Sequence, residues 1–381
     1  MNQAVYLDYN ATTPVAPEVA EAMLPFLREA FGNPSSSHAF GLHARQAVQH
    51  SREHVASLIG CEPAQVVFTG CATEANNLAI LGIAERAERE GKRHLVVSAV
   101  EHPAVLQPAL ELQRRGWELS IVPVDAHGRV SPADVEGALR PGTAMVSIMH
   151  ANNEVGTIQP IAQIAALTRP RGIPLHCDAA QSAGKIGVDV GSLGVDLLTL
   201  AGHKFYATKG VGALYVRPGT SVRGVLFGGD QEHGLRPGTE NVPAIVGLGE
   251  ACRLAKQRFP GATAHLLRLR DDLHARLLAR VPGLALNGHP VERLPNTLHV
   301  SFPGISGRRL LHAVANEVAA SVGSACHSED DAVSGVLAAM GVDAARAMGA
   351  VRLTVGMTTS DSEVARAADA LIDAWMTSTG Q

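Results

Sequence analysis

The chain has 381 residues, enough for a substantial core and, at about 100 to 200 residues per domain, for two domains or one large one. Hydrophobic residues at 46%, against 18% charged and 4% aromatic, exclude the disordered and fibrous classes. Lys plus Arg (32) nearly balances Asp plus Glu (36), and the resulting net charge of −4 argues against a nucleic-acid or anionic-membrane binder.

In chain order, Met1 to Thr13 lacks the basic and apolar stretches of a secretory leader, and nowhere do roughly 18 apolar residues run together. The five cysteines, Cys61, Cys71, Cys177, Cys252 and Cys326, are odd in number and form no C-x-x-C pair, so neither a disulfide framework nor a metal site is indicated. The expectation is a soluble cytoplasmic protein of a reducing compartment.

From Val66 to Val216 short β-rich runs alternate with amphipathic stretches. Candidate strands are Val66–Thr69, His94–Ser98, Leu119–Val124, Ala144–Met149, Pro174–Cys177, Leu197–Leu200 and Ala213–Val216, with helical patterns such as Ala75–Glu90 and Ala104–Arg115 between most of them. This alternation reads as βαβ units, hence an α/β protein with a mainly parallel seven-stranded sheet covered by helices on both faces. The last two runs are joined by too few residues for a crossover helix, so one of them is expected to be antiparallel. After Gly238 the pattern changes to one long helix, Val242–Arg280, then to strands near Thr297–Ser301 and Val351–Thr354. The expected division is a large domain, residues 16–256, and a smaller α+β domain from residues 1–15 and 257–381.

Ligands of open α/β sheets sit outside the carboxyl ends of the strands, and polar residues stand there in series. Gly70 to Glu74 follows the first strand and opens a helix, which suits an anion such as phosphate; ordinary helix capping by Thr73 is the other reading. It is neither a G-x-G-x-x-G fingerprint nor a Walker loop, which disfavours dinucleotides and nucleoside triphosphates. Asp178 ends an apolar strand, where a carboxylate needs a cation or donor. A protonated pyridine nitrogen is one such partner, in the role that pyridoxal phosphate enzymes give to an Asp; a helix N-cap is the other reading. Lys204, past the next strand, is either a solvated surface lysine or an amine that faces Asp178 across the crevice and suits a Schiff base. His102 either stacks over a flat ring or caps the helix that begins at Pro103. Asn153 and Gln181 are neutral donors suited to a ring hydroxyl.

Six motifs extend the pattern along nearly the whole chain: Tyr6-Leu-Asp-Tyr-Asn-Ala-Thr-Thr-Pro14, Gly32-Asn-Pro-Ser-Ser-Ser-His38, Ala72-Thr-Glu-Ala-Asn-Asn77, Asn152-Asn-Glu-Val-Gly156, Arg236-Pro-Gly-Thr-Glu-Asn241 and Gly323-Ser-Ala-Cys326. In content and order they resemble those of the cysteine desulfurases of the NifS and IscS type, a family that includes the related selenocysteine lyases. The resemblance implies a fold-type I pyridoxal 5'-phosphate transferase, active as a homodimer, that converts L-cysteine to L-alanine and hands sulfur to an acceptor protein for iron–sulfur cluster or thiolation pathways. It further implies Lys204 as the Schiff-base lysine, Asp178 at the pyridine nitrogen, His102 stacked on the ring, and Asn153 and Gln181 at the ring hydroxyl. Ala72, Thr73 and His203 match phosphate contacts, with Thr239 supplied by the other subunit. Arg352 matches the arginine for the substrate carboxylate, which its guanidinium can grip bidentately.

Cys326 matches the family's nucleophile. Its setting, Gly-Ser-Ala-Cys-His-Ser-Glu-Asp-Asp, is that of a solvated loop rather than of a buried structural cysteine, and the adjacent His327 can help form the reactive thiolate. Cys61, Cys177 and Cys252 read as structural, and Asn33 and His38 are expected to border the substrate. Several positions depart from the family pattern. Ala201 stands where a serine commonly binds phosphate, Ala207-Thr208 replaces Gly-Pro, and Cys71 replaces a glycine. His327 and the Leu-Thr-Leu-Ala-Gly-His-Lys run lean toward the selenocysteine lyases, which makes release of selenium from L-selenocysteine the alternative activity. A transaminase and a non-catalytic scaffold are the more distant rivals.

Overall fold

Short apolar runs between helices assemble here into one sheet that carries every strand-end motif on a common edge. The computed structural model describes residues 4–259, 261–323 and 334–380. A short first strand, β1 (Val5–Tyr6), precedes two helices, Pro17–Arg28 and Ala39–Ile59. The central sheet follows: β2 (Val66–Thr69), β3 (His94–Ser98), β4 (Glu118–Val122), β5 (Thr143–Ser147), β6 (Leu175–Asp178), β7 (Leu197–Ala201) and β8 (Gly212–Val216). Its seven strands are ordered β2-β8-β7-β6-β5-β3-β4.

All pairs are parallel except those of β8, which runs against both β2 and β7. The reversal is the one expected, since residues 202–211 are too few for a crossover helix. Because β8 alone is reversed, β2 points the same way as β7, and the carboxyl ends of the other six strands share one edge. The inner strands β3, β5 and β7 are buried along their whole length, the pattern of a sheet covered on both faces.

The single long helix expected over Val242–Arg280 is two helices, Val242–Arg258 and Gly261–Arg280. Phe259, which precedes a proline in the sequence, has extended backbone (φ −77°, ψ 136°), as the clash with a proline ring demands. The first of these helices packs against both N-terminal helices, and glycines permit the approach: a Cβ on Gly249 would lie 2.6 Å from the Cα of Ser51.

The remaining strands are β9 (Ala285–Leu286), β10 (Thr297–Ser301), β11 (Val318–Ala319) and β12 (Ala350–Thr354). β9, β10 and β12 form an antiparallel sheet, while β11 pairs in parallel with β1. The C-terminal helix, Asp361–Thr379, starts with a Ser360–Glu363 capping box. It buries Leu371, Ile372 and Trp375 in a core that also holds Val5 and Leu7. Ala16 and Val19 belong instead to the core of the central sheet. The chain therefore crosses from one core to the other between Leu7 and Ala16, and this crossing segment reaches the strand-end edge. Among the described residues no helix is long and apolar enough to cross a membrane.

Candidate active site

Asp178 and Lys204 leave the adjacent strands β6 and β7. The Asp178 carboxylate is 6% exposed. Its Oδ2 accepts from Asn76 Nδ2 at 2.7 Å and its Oδ1 from the Ala180 amide at 2.9 Å, so the cost of burying it is met by donors on both oxygens. Lys204 sits in the short turn Gly202–Lys204. Its Nζ donates to the carbonyls of Asn10 at 2.6 Å and Ala11 at 2.8 Å. The turn is clamped by the crossing segment: Thr13 N donates to His203 O at 3.0 Å, and Tyr206 N donates to Thr13 Oγ1 at 2.8 Å. Tyr206 has φ +72°, a conformation that bulky residues adopt only where their surroundings enforce it.

Of the two roles that its sequence position allowed, His102 shows the helix cap. It caps the helix Pro103–Arg114, accepting from Ala104 N through Nδ1 at 3.1 Å, which leaves the ring proton on Nε2. Its ring also lies within electrostatic reach of the lysine and the aspartate. Burial lowers its pKa, Asp178 raises it and Lys204 lowers it. Beside it, the Glu101 carboxyl is pushed up to about 8 by burial, with Asp178 adding to the rise. Glu101 Oε1 accepts from Ser98 Oγ at 2.5 Å and Met149 N at 2.9 Å, whereas Oε2 is buried with no partner among the described residues.

At the β2 end, Ala72 and Thr73 are the first residues of the helix Ala72–Arg89, so their N–H groups lack intrahelical carbonyl partners. The cap is Cys71, whose Sγ accepts from Glu74 N at 3.5 Å, rather than Thr73. A Cβ on Gly212 would come within 3.0 Å of Ala72 N, so only glycine lets β8 back this turn. His203 Nδ1 lies 3.2 Å from Thr12 Oγ1. Burial and Lys204, with smaller effects from Lys209 and Lys185, push the His203 ring down to about 4, so it is neutral near pH 7. Arg236 Nε donates to Glu74 Oε1 at 2.9 Å and ties the glycine-rich loop 228–241 to the same helix. The loop is pinned at its base by a buried bidentate pair, Arg52 with Glu232, at 2.6 and 2.8 Å. Thr239, further along, is exposed.

Arg352 lies on β12, 3% exposed. Nη2 pairs with Asp8 Oδ1 at 2.7 Å, Nη1 donates to the carbonyls of Asn153 at 3.0 Å and Gly323 at 3.2 Å, and Nε has no hydrogen-bond partner among the described residues. Gln181 Nε2 donates to Asn10 O at 3.0 Å, so Gln181 joins the lysine cluster. Asn153 joins it through its backbone carbonyl, which accepts from Asn10 Nδ2 at 3.2 Å. Asn33 and His38 show local roles. Asn33 Oδ1 accepts from Ser35 N at 2.9 Å, and His38 caps the helix Ala39–Ile59. Cys326 and His327 lie outside the described residues. Of the other cysteines, Cys177 and Cys252 are buried with raised thiol pKa values, and burial pushes Cys61 up to about 12, as inert structural thiols require.

Four residues of the cluster were not picked out from sequence: Asp8, Asn10, Asn76 and Lys185. Asp8 and Asn10 stand in the first motif and Asn76 in the third, so their motif membership was the available signal. Lys185 had none, being one lysine in an ordinary-looking stretch.

The fold and the strand-end cluster define an enzyme of the fold-type I transferase class. The family model for class-V aminotransferases matches residues 5–366. The chain is 45% identical over 372 residues to the cysteine desulfurase IscS of Dictyoglomus turgidum, covering 97% of this chain and 94% of that one. It is 43% identical over 367 residues to cysteine desulfurase IscS 1 of Archaeoglobus fulgidus, covering 96% and 95%. Among solved structures, a NifS-like protein superposes with a TM-score of 0.91 at 37% identity, covering 97% of this chain and 98% of that one. SspA in complex with cysteine does so with 0.82 at 36%, covering 93% and 99%. The chain belongs to the cysteine desulfurase family of class-V aminotransferases, whose members depend on pyridoxal phosphate.

Proposed function

We propose that this protein is a cysteine desulfurase that uses pyridoxal 5'-phosphate to convert L-cysteine to L-alanine, with the sulfur accepted by Cys326 as a persulfide. The observation that carries the proposal is the buried Asp178 carboxylate, held by Asn76, at the strand end next to Lys204. The donor set suits the cofactor. Asp178 would hold the proton of its ring nitrogen, His102 would cover a ring face, and Gln181 with Asn153 would lie at its hydroxyl. Ala72, Thr73 and His203 would hold its phosphate. When bound, the cofactor supplies an electron sink for the α-carbon of an amino acid.

The chain's own groups handle binding and protons. Arg352 binds the substrate carboxylate, with Asn33 and His38 at the border of the site. Lys204 Nζ, released from the Asn10 and Ala11 carbonyls, takes and returns a proton at the substrate α-carbon. His102 moves a proton near the sulfur. The Cys326 thiolate attacks the substrate sulfur, forming the S–S bond as the C–S bond breaks, and the persulfide passes to an acceptor protein by thiol exchange.

The same proposal covers a cytoplasmic homodimer, each chain divided into residues 16–256 and residues 1–15 with 257–381, and Thr239 reaching the partner's phosphate. Exposed aromatic side chains support the dimer: Phe31 is 75% and Phe227 87% exposed, and the Phe31 and Phe40 rings lie 5.7 Å apart.

The test is to incubate the purified protein with cysteine and with selenocysteine separately, quantifying alanine and the chalcogen bound to protein. Alanine from cysteine with persulfide on Cys326 is expected. Pyruvate in place of alanine would point to a transaminase, and turnover of selenocysteine alone would establish a selenocysteine lyase.

A further inference from the structure

Lys185 is a second lysine in the cluster, 6% exposed, and the roles assigned above do not use it. Its Nζ donates to Gln181 Oε1 at 3.0 Å and to Asn10 Oδ1 at 3.3 Å. Both acceptors belong to side-chain amides, whose two ends are nearly equal in shape, and an ammonium in this position, with donors and no acceptor, selects the oxygen end. The choice propagates. With its oxygen on Lys185, Gln181 turns Nε2 to the Asn10 carbonyl at 3.0 Å. With its own oxygen on Lys185 and on Asn296 Nδ2, Asn10 turns Nδ2 to Thr297 Oγ1 at 2.9 Å and Asn153 O at 3.2 Å. The Asn10 carbonyl so fixed is one of the two that hold Lys204 Nζ, at 2.6 Å.

An apolar side chain of similar length would fill this space without the desolvation cost of a buried amine. We propose that Lys185 is a positioning residue for Lys204: its amine sets the orientation of the Gln181 and Asn10 amides, and through them the carbonyl cradle and donor set of the cofactor site. Burial, with Lys204 and Arg352 adding repulsion, brings Lys185 down to about 7. Those two cations act on it, and His203 feels it in turn, so Lys185 in its protonated form disfavours a proton on Lys204.

The inference rests on the proposed cofactor site, and the experiment separates the two. Wild-type apoprotein and Lys185→Met are titrated with pyridoxal phosphate, and the absorption of each complex is followed against pH. Lys185→Met is expected to bind at least tenfold more weakly, with the midpoint of the absorption change moved upward because a neighbouring cation is gone. Lys185→Arg, which keeps donors and charge, is expected to recover both. Should Lys185→Met fail to fold, Lys185→Arg, a donor with no acceptor, is read alone and is expected to bind within threefold of wild type. A tenfold loss in that variant overturns the assignment. Wild-type protein that takes up no cofactor overturns the site and this inference together. Uptake by wild type and Lys185→Met with equal affinity and equal midpoint overturns the inference alone.

Discussion

Arg352 and Asp8 form an ion pair at 2.7 Å across the junction of β12 with the N-terminal segment, with the arginine side chain 3% exposed. The guanidinium proposed to grip the substrate carboxylate is thus already bound to a carboxylate of its own chain, with Nε unpartnered among the described residues. A substrate must use Nε or displace Asp8. Arg352→Lys keeps the charge but loses the planar fork. The expected cost is about 1 to 3 kcal/mol in kcat/KM, as for other charge-assisted hydrogen bonds, with little change in melting temperature. Asp8→Asn is expected to lower KM for cysteine by removing the competitor. Steady-state kinetics on both variants check this, and unchanged kcat/KM in Arg352→Lys would move the carboxylate site elsewhere.

Lys204→Ala is expected to abolish turnover and the cofactor absorption band while leaving a folded dimer, because Lys204 is held by two backbone carbonyls rather than packed in a core. Thr239→Glu should cripple its homodimer by placing a carboxylate against the phosphate. If each site is built from both chains, co-refolding equal amounts of the two inactive variants restores about a quarter of wild-type activity, since half the dimers are mixed and each has one intact site. Zero activity after demonstrated subunit exchange would refute the composite site.

Cys326→Ser is expected to keep the cofactor spectrum and lose persulfide formation, since an alcohol does not accept sulfur. Mass spectrometry locates the sulfur. Cys177 and Cys252 are buried and Cys61 is pushed up to about 12, so none of them should substitute, and persulfide on any of them in the variant would sink the assignment.

Glu101 predicts a pH dependence of stability. Its folded-state pKa of about 8 lies above its ordinary value of 4.5, so between these the unfolded chain has released a proton that the folded chain retains. Stability should fall as pH rises through that window, with a slope of at most about 1.4 kcal/mol per unit from this group. Glu101→Gln stays neutral and is expected to flatten the dependence of melting temperature on pH from 5 to 8. An unaltered pH profile would show that Glu101 is ionised in the folded protein.

Removing Asn76 tests the Asp178 pocket. Asn76→Ala takes one of the two donors from a buried carboxylate and is expected to cost about 1 to 3 kcal/mol of stability, measured by denaturant unfolding of apoprotein. A change within error would mean that water replaces the amide.

Local pattern was sufficient for the sheet. Strands such as Val66–Thr69 and His94–Ser98 are apolar runs bounded by polar turns, and a chain that alternates them with amphipathic helices has few ways to bury both. The edge on which Asp178, Lys204 and His102 emerge follows from that topology. The break after Phe259 was also written in the chain, as a proline, and helical periodicity on either side masked it. Tertiary structure alone decided which side chains complete the site. Asn76 meets Asp178 across 102 positions, Asn10 meets Lys185 across 175 and Asp8 meets Arg352 across 344. Hydrophobic periodicity reports which face of an element is buried, over a few residues. A hydrogen bond between two elements depends on how whole elements pack, so nothing in the neighbourhood of Lys185 distinguished it from a solvated lysine until the crossing segment was laid against it.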